Sequence, residues 1–193
     1  VARDGKAIVL SGLGGVGKST LALSLMADPS FRFISDNLIL HDEERIYSLP
    51  EPVRLDPSSV AAIGAAGFVP STSDVPPTAH PKATYRVEAG RGAHDAVADA
   101  VILLRSTKRA VIRPLGPEEA LAHLVAARDL VREVDGYRSA SALFSLAVAS
   151  ASERRIAPAR LSAMLSRSRA YLLGIGEGEP VSVTLARIRE VCA

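Results

Sequence analysis

Residues 7–26 read AIVLSGLGGVGKSTLALSLM, and this stretch decides how the remainder of the chain is interpreted. Ala7 to Ser11 is a short apolar run with the β-branched pair Ile8-Val9, the pattern of a buried strand. Leu21, Ala22 and Leu25 repeat at helical spacing in the segment that follows. Between them Gly12-Leu13-Gly14-Gly15-Val16-Gly17-Lys18-Ser19 fits G-x-x-x-x-G-K-[ST], in the strand-to-helix context that this motif requires. Gly12, Gly14, Gly15 and Gly17 let the backbone turn tightly and bring N–H groups onto phosphate oxygens. Lys18 supplies a point charge for the outer phosphates and Ser19 a hydroxyl for Mg²⁺, with the positive end of the helix beneath. The expectation is a phosphate loop that binds a nucleoside triphosphate, ATP, with Mg²⁺. Its binding set is Gly12, Gly14, Gly15, Val16, Gly17, Lys18, Ser19 and Thr20.

The other elements fall in order around this loop. Asp28-Pro29 ends the helix, and Phe31 to Ser35 alternates as a strand. Asn37 to His41 and Ile46 to Leu49 read as a hairpin with Asp42 to Arg45 at its tip. Asp56-Pro57 announces a short helix over Ser58 to Ile63, and the Pro- and Gly-rich stretch Gly64 to Lys82 reads as irregular. Thr84 to Glu88 and Ala100 to Leu104 are expected strands, the latter paired with Ala110 to Arg113. Helices are expected over Pro117 to Glu133, with Leu121, Leu124, Val125 and Val131 on one face, and over Arg138 to Ala151 and Ala159 to Arg167. A strand from Tyr171 to Ile175 and a helix from Val181 to Val191 close the chain. The implied fold is α/β: a mixed sheet around a nucleotide-binding loop, with a helical C-terminal part.

Composition narrows the function. At 193 residues the chain suits one domain, and 48% hydrophobic residues with a mean hydropathy of +0.19 exclude general disorder. No run approaches the ~20 apolar residues of a membrane span. The net charge of +2, with four Phe, four Tyr and no Trp, argues against nucleic acid as a partner. One thiol, Cys192, allows no internal disulfide and no multi-cysteine metal site, so a reducing, cytoplasmic setting is expected. The chain opens on Val1 with a strand pattern close behind, so a fragment or excised domain is expected.

A phosphate loop leaves the fate of the γ-phosphate open, and a carboxylate must help to decide it. Asp42 and Glu43 are one choice, but their place between two extended runs reads as a hairpin tip. Asp36, at the end of FRFIS and beside Asn37, is the better one. Here the chain resembles the HPr kinase/phosphorylase-like family, P-loop kinases that share a nucleotide-binding core with phosphoenolpyruvate carboxykinase. Gly12 to Thr20, Ser35-Asp36-Asn37, Ile46-Tyr47 and Pro50-Glu51-Pro52-Val53-Arg54-Leu55 follow that family's order. Ala100 to Leu104, Arg113-Pro114-Leu115 and Glu119-Ala120-Leu121 extend the resemblance to about residue 130.

The resemblance implies transfer of the γ-phosphate of ATP to a hydroxyl on a peptide, protein or small molecule, with a small peptide as the preferred acceptor. It implies Asp36 as the base or, with Ser19, as a holder of Mg²⁺, and Lys18 as the second catalytic residue. Arg54 becomes a candidate clamp for a phosphate or an acceptor carboxylate. It also implies homo-oligomers. The chain departs from the family in having Asn37 where a second acid usually stands, and it shows neither the family's upstream histidine nor its C-terminal phosphorylase signature. Weaker candidates are Lys82 and His80 at the end of the irregular stretch, while His41 reads as a packed strand residue. An ATPase switch, or a nucleotide sensor without turnover, would use the same loop.

Overall fold

The computed structural model describes residues 1–36, 38–49, 53–55, 60, 67–70, 83–130 and 153–192. The chain starts with β1 (Ala2–Arg3), turns through Asp4-Gly5 and runs back as β2 (Lys6–Gly12). Helix α1 (Lys18–Met26) follows the glycine-rich loop and leads to the short β3 (Phe31–Arg32). The expected strand FRFIS is therefore shorter than its alternation suggested. Beyond Arg32 only Phe33 is paired, in an isolated bridge to Gly92.

The hairpin forms as expected from β4 (Ile39–His41) and β5 (Arg45–Ser48). Next come β6 (Val53–Leu55), β7 (Phe68–Pro70) and β8 (Ala83–Val87), which make a small antiparallel sheet in the order β6-β8-β7. The long β9 (Asp95–Thr107), β10 (Val111–Leu115), α2 (Pro117–Leu130), α3 (Glu153–Arg167), β11 (Arg169–Gly176) and α4 (Val181–Val191) complete the described elements. β7 lies within the stretch that was expected to be irregular. Of the expected helix at 58–63 only Val60 is described, in helical conformation, and the expected helix at 138–151, with Asn37, His80 and Lys82, lies outside the described residues.

The main sheet is mixed, with strand order β10-β11-β9-β2-β1-β3 and β5 pairing the first residues of β9. β9 is the spine. β2 runs parallel along one edge of it, while β5 and β11 share the other. Ala100, Val101 and Ile102 have no exposure to solvent, as a central strand demands. The expected pairing of Ala100–Leu104 with Ala110–Arg113 is not formed. β11 enters between them, parallel to β9 and antiparallel to β10, with Leu172 opposite both Leu103 and Arg113. A strand buried on both faces gains more from two neighbours, and β11 brings Ala170 and Leu173 into the core. The C-terminal part is accordingly not purely helical, since it supplies a strand next to the sheet's centre.

Alternation along the strands separates two cores. Ile8, Ile102 and Leu104 face α1 and α4, meeting Leu21, Leu25, Leu185 and Ile188. Ala7, Val101 and Leu103 face α2 and α3, meeting Ala120, Met164 and Leu165. Leu121 and Leu124 pack on the second core as their spacing predicts, while Val125 is exposed. Each fully buried aliphatic side chain here contributes about 1.5–3 kcal/mol of transfer free energy. The small sheet joins the first core through Val53, Leu55 and Phe68, and Phe68 meets Phe33 edge to face at 5.5 Å. Among the described residues no helix is long and apolar enough to cross a membrane.

Candidate functional site

The site is built where β2 ends. Gly12 pairs in register with Leu104, so the loop leaves the sheet against the neighbouring strand. A Cβ on Gly12 would stand 2.7 Å from the carbonyl oxygen of Leu104 and 3.1 Å from Cγ1 of Val16. The backbone thus makes an approach that only glycine permits. Val16 packs against the first core and its N–H reaches Leu13 O at 3.4 Å, which anchors the middle of the loop. Leu13, Gly14 and Gly15 are exposed.

α1 begins without the customary side-chain cap. Its N-cap is Gly17, at φ 96°, and no acidic residue stands in its first turn. A Ser, Asp or Asn at the cap would stabilise an ordinary helix by about 1 kcal/mol. Here the first amide to find a carbonyl within the helix is that of Leu21, on Gly17 O at 2.9 Å. The amides of Lys18, Ser19 and Thr20 are left for other partners, and the helix dipole adds positive potential there. The carbonyl of Thr20 accepts from Ser24 Oγ at 2.8 Å, which ties the first turn of the helix to the second.

The two side chains of the motif point in different directions. Lys18 Nζ curls back and donates to Gly12 O at 2.9 Å and Leu13 O at 3.0 Å, stretched along the loop that it follows. Ser19 Oγ donates to Asp36 Oδ1 at 2.7 Å, across 17 residues of sequence. β1 lies between β2 and β3 and is antiparallel to both, so β2 and β3 run the same way. The residues after β3 therefore emerge on the loop's side of the sheet, and Asp36 meets the first turn of α1. Ser35 is held by its own hydroxyl, which donates to Leu38 O, so the turn that carries Asp36 is tied to the start of the hairpin.

The remaining expected residues are placed as follows. Arg54 stands at the middle of β6 with its backbone opposite Thr84, in the small sheet, and its side chain lies outside the described ones. Asp42 serves the hairpin: it accepts from Tyr47 Oη at 2.6 Å and from the amides of Glu44 and Arg45 at 2.7 Å. Those bonds, the one from Tyr47 foremost, pull its pKa down to about 2.

His41 has more company than a packed strand residue needs. It borders a cavity of about 270 Å³ together with Lys18, Ser35 and Asp36, while its Nδ1 lies 2.9 Å from Asp42 O. Nothing in its local pattern marks this, because the cavity is closed by segments distant in sequence. Leu104, whose carbonyl walls Gly12, was likewise visible only as an apolar strand residue.

The Ser19 hydroxyl and the Asp36 carboxylate are hard oxygen ligands beside a cradle of backbone N–H groups, a pairing that suits Mg²⁺ together with phosphate oxygens. No protein-family model, no curated protein and no solved structure matches this chain.

Proposed function

We propose that the chain is a P-loop kinase of the HPr kinase-like type, which binds ATP with Mg²⁺ and transfers the γ-phosphate to a hydroxyl. The observation that carries the reading is the 2.7 Å bond between Ser19 and Asp36, because it joins the hydroxyl of the loop to the acid expected to serve it. Ser19 and Asp36 would hold the Mg²⁺ that accompanies the nucleotide, an ion that neutralises charge on the triphosphate.

The chain's own groups do the remaining work. Amides of the loop and of the first turn of α1 hold the phosphate oxygens, and Lys18 exchanges the carbonyls of Gly12 and Leu13 for the outer phosphates. Asp36 has a second oxygen, Oδ2, that Ser19 does not use. As the acceptor oxygen bonds to the γ-phosphorus and the bond from that phosphorus to the β,γ-bridging oxygen breaks, Oδ2 takes the hydroxyl proton. Such a positioned base contributes about 10²–10⁴-fold. The preferred acceptor is a hydroxyl on a small peptide. A nucleotide substrate and a single thiol suit a cytoplasmic setting.

The same Ser19–Asp36 contact favours one competing reading, an ATPase switch in which Asp36 serves the metal alone and water accepts the phosphate. Incubation of γ-labelled ATP with the protein, with Asp36→Ala and with candidate hydroxyl peptides separates them. Label on an organic acceptor, lost with Asp36→Ala, is expected. Label released only as inorganic phosphate would replace the kinase with the switch, and label remaining on ATP would remove both.

A further inference from the structure

The cavity of about 270 Å³ beside Asp36 has walls of two kinds. Lys18, Ser35, Asp36 and His41 make a polar end, which shares Asp36 with the Ser19 contact. The remainder is apolar and comes from elements far apart in the chain. In the hairpin, Ile39 of β4 turns into the cavity while its neighbour Leu40 is exposed, as alternation along a strand requires, and Ile46 joins it from β5. Val9 and Val101, paired across β2 and β9, line the same space. Leu124 of α2, with Leu161 and Met164 of α3, supplies the wall from the helices.

Packing does not fill this space. Val9, Ile39, Leu124 and Leu161 lie against the second core yet are only half-buried. Apolar surface left open in this way favours a ligand that covers it. An apolar cavity of roughly 150 Å³ already accepts a ring the size of benzene, so this one has room for a large aliphatic or aromatic side chain. Charge is unwelcome there. No charged side chain lines the cavity beyond Lys18, Asp36 and, when protonated, His41, all at the polar end. A charged group in the apolar part would lose its hydration without gaining a partner.

The polar end decides which molecule reaches the cavity. On the kinase reading, Lys18 meets the outer phosphates and Asp36 the Mg²⁺ that accompanies them, so the γ-phosphate is presented at this end. The base of the nucleotide lies across the whole triphosphate from the γ-phosphorus. The acceptor oxygen instead attacks opposite the leaving oxygen, from about 3–3.5 Å. A group that fills the cavity is therefore carried by the acceptor.

We propose, on that reading, that the cavity is the acceptor subsite, and that it takes a large uncharged apolar side chain next in sequence to the serine that is phosphorylated. The serine stands at Asp36, and its neighbour's side chain occupies the space between the hairpin and α3.

Peptides of the form acetyl-Xaa-Ser-Xaa-amide, with Xaa as Gly, Leu, Phe or Lys, test it with γ-labelled ATP and Mg²⁺. The Leu peptide is expected to show a kcat/KM at least about tenfold above the Gly peptide, the discrimination that a hydrophobic pocket gives, and the Lys peptide to gain nothing. Leu161→Trp on α3 and Leu124→Phe on α2 fill the cavity from different helices. Each should raise KM for the Leu peptide toward that for the Gly peptide, with ATP affinity by calorimetry unchanged. Leu161→Ala enlarges the cavity and should move the preference from Leu to Phe. Opposite shifts from filling and hollowing one position do not come from a damaged fold. Equal kcat/KM for all four peptides, or a Leu preference that survives both filling substitutions, would overturn the subsite and leave the kinase reading standing. Transfer to none of them by a protein that binds ATP would overturn the kinase reading and the subsite with it.

Discussion

Ser19 Oγ and Asp36 Oδ1 lie 2.7 Å apart, and that hydrogen bond joins the first turn of α1 to the turn after β3. If the two groups hold one Mg²⁺ together, their contributions to nucleotide binding are not independent. Ser19→Ala and Asp36→Asn are each expected to weaken ATP binding by about tenfold or more in the presence of Mg²⁺, near 1.4 kcal/mol. The double variant should be little weaker than the worse single one, since residues in contact are coupled. Calorimetric titrations with Mg²⁺ and with EDTA check this, and in EDTA the parent and variants should converge. Multiplying effects, or equal losses in EDTA, would separate the two residues.

Gly12 and Gly14 belong to the same loop but meet different surroundings. A Cβ at Gly12 is 2.7 Å from the backbone oxygen of Leu104, which has no flexible end to move aside, whereas one at Gly14 meets nothing within 4 Å. Gly12→Ala is expected to destabilise the fold by about 1–3 kcal/mol, the usual cost of overpacking. Gly14→Ala should stay within about 0.5 kcal/mol. Urea denaturation of both measures the difference.

Asp42 offers a test of the hairpin by pH. The hydroxyl of Tyr47 and the amides of Arg45 and Glu44 hold its pKa at about 2, below the ordinary 3.8. A carboxylate depressed in the folded state stabilises it above the unfolded pKa, and that contribution disappears as pH falls through the folded one. Thermal midpoints of the parent and Asp42→Asn should therefore differ at pH 5 and converge between about pH 4 and pH 2. A difference that does not change across that window would contradict the bonding of Asp42. Tyr47→Phe should bring the Asp42 carboxyl back toward 3.8, as NMR titration can follow.

How much of this was legible in the sequence depends on the distance over which each feature is decided. The β2–loop–α1 unit was readable because Gly12 to Ser19 carries its own spacing and lies between two local periodicities. The β4–β5 hairpin was readable for a similar reason, with Asp42 supplying the turn from only a few residues away. Asp36 emerged through resemblance, since its partner Ser19 is 17 residues distant and no local pattern links them.

The neighbours of β9 could not be read locally. Val111 to Leu115 follows β9 closely and reads locally as its hairpin partner, yet it pairs with β11, with Val111 opposite Gly174. That choice depends on burying both faces of β9 along its length, a property of the whole sheet. The closure of Gly12 against Leu104 and the position of His41 on the cavity have the same origin, because in each the partner is supplied by a distant strand.

Lys18 provides the most direct test of the central claim. Its ammonium rests on the carbonyls of Gly12 and Leu13, part-exposed, so truncation should change stability by no more than about 1 kcal/mol. Nucleotide binding should suffer far more. Calorimetric titration of ATP with Mg²⁺ into the parent and into a folded Lys18→Ala is the measurement. Saturable binding by the parent, weakened at least about tenfold in the variant, is the predicted result. Equal binding by the two chains, or none by the parent, would contradict the reading of this loop as a nucleotide site.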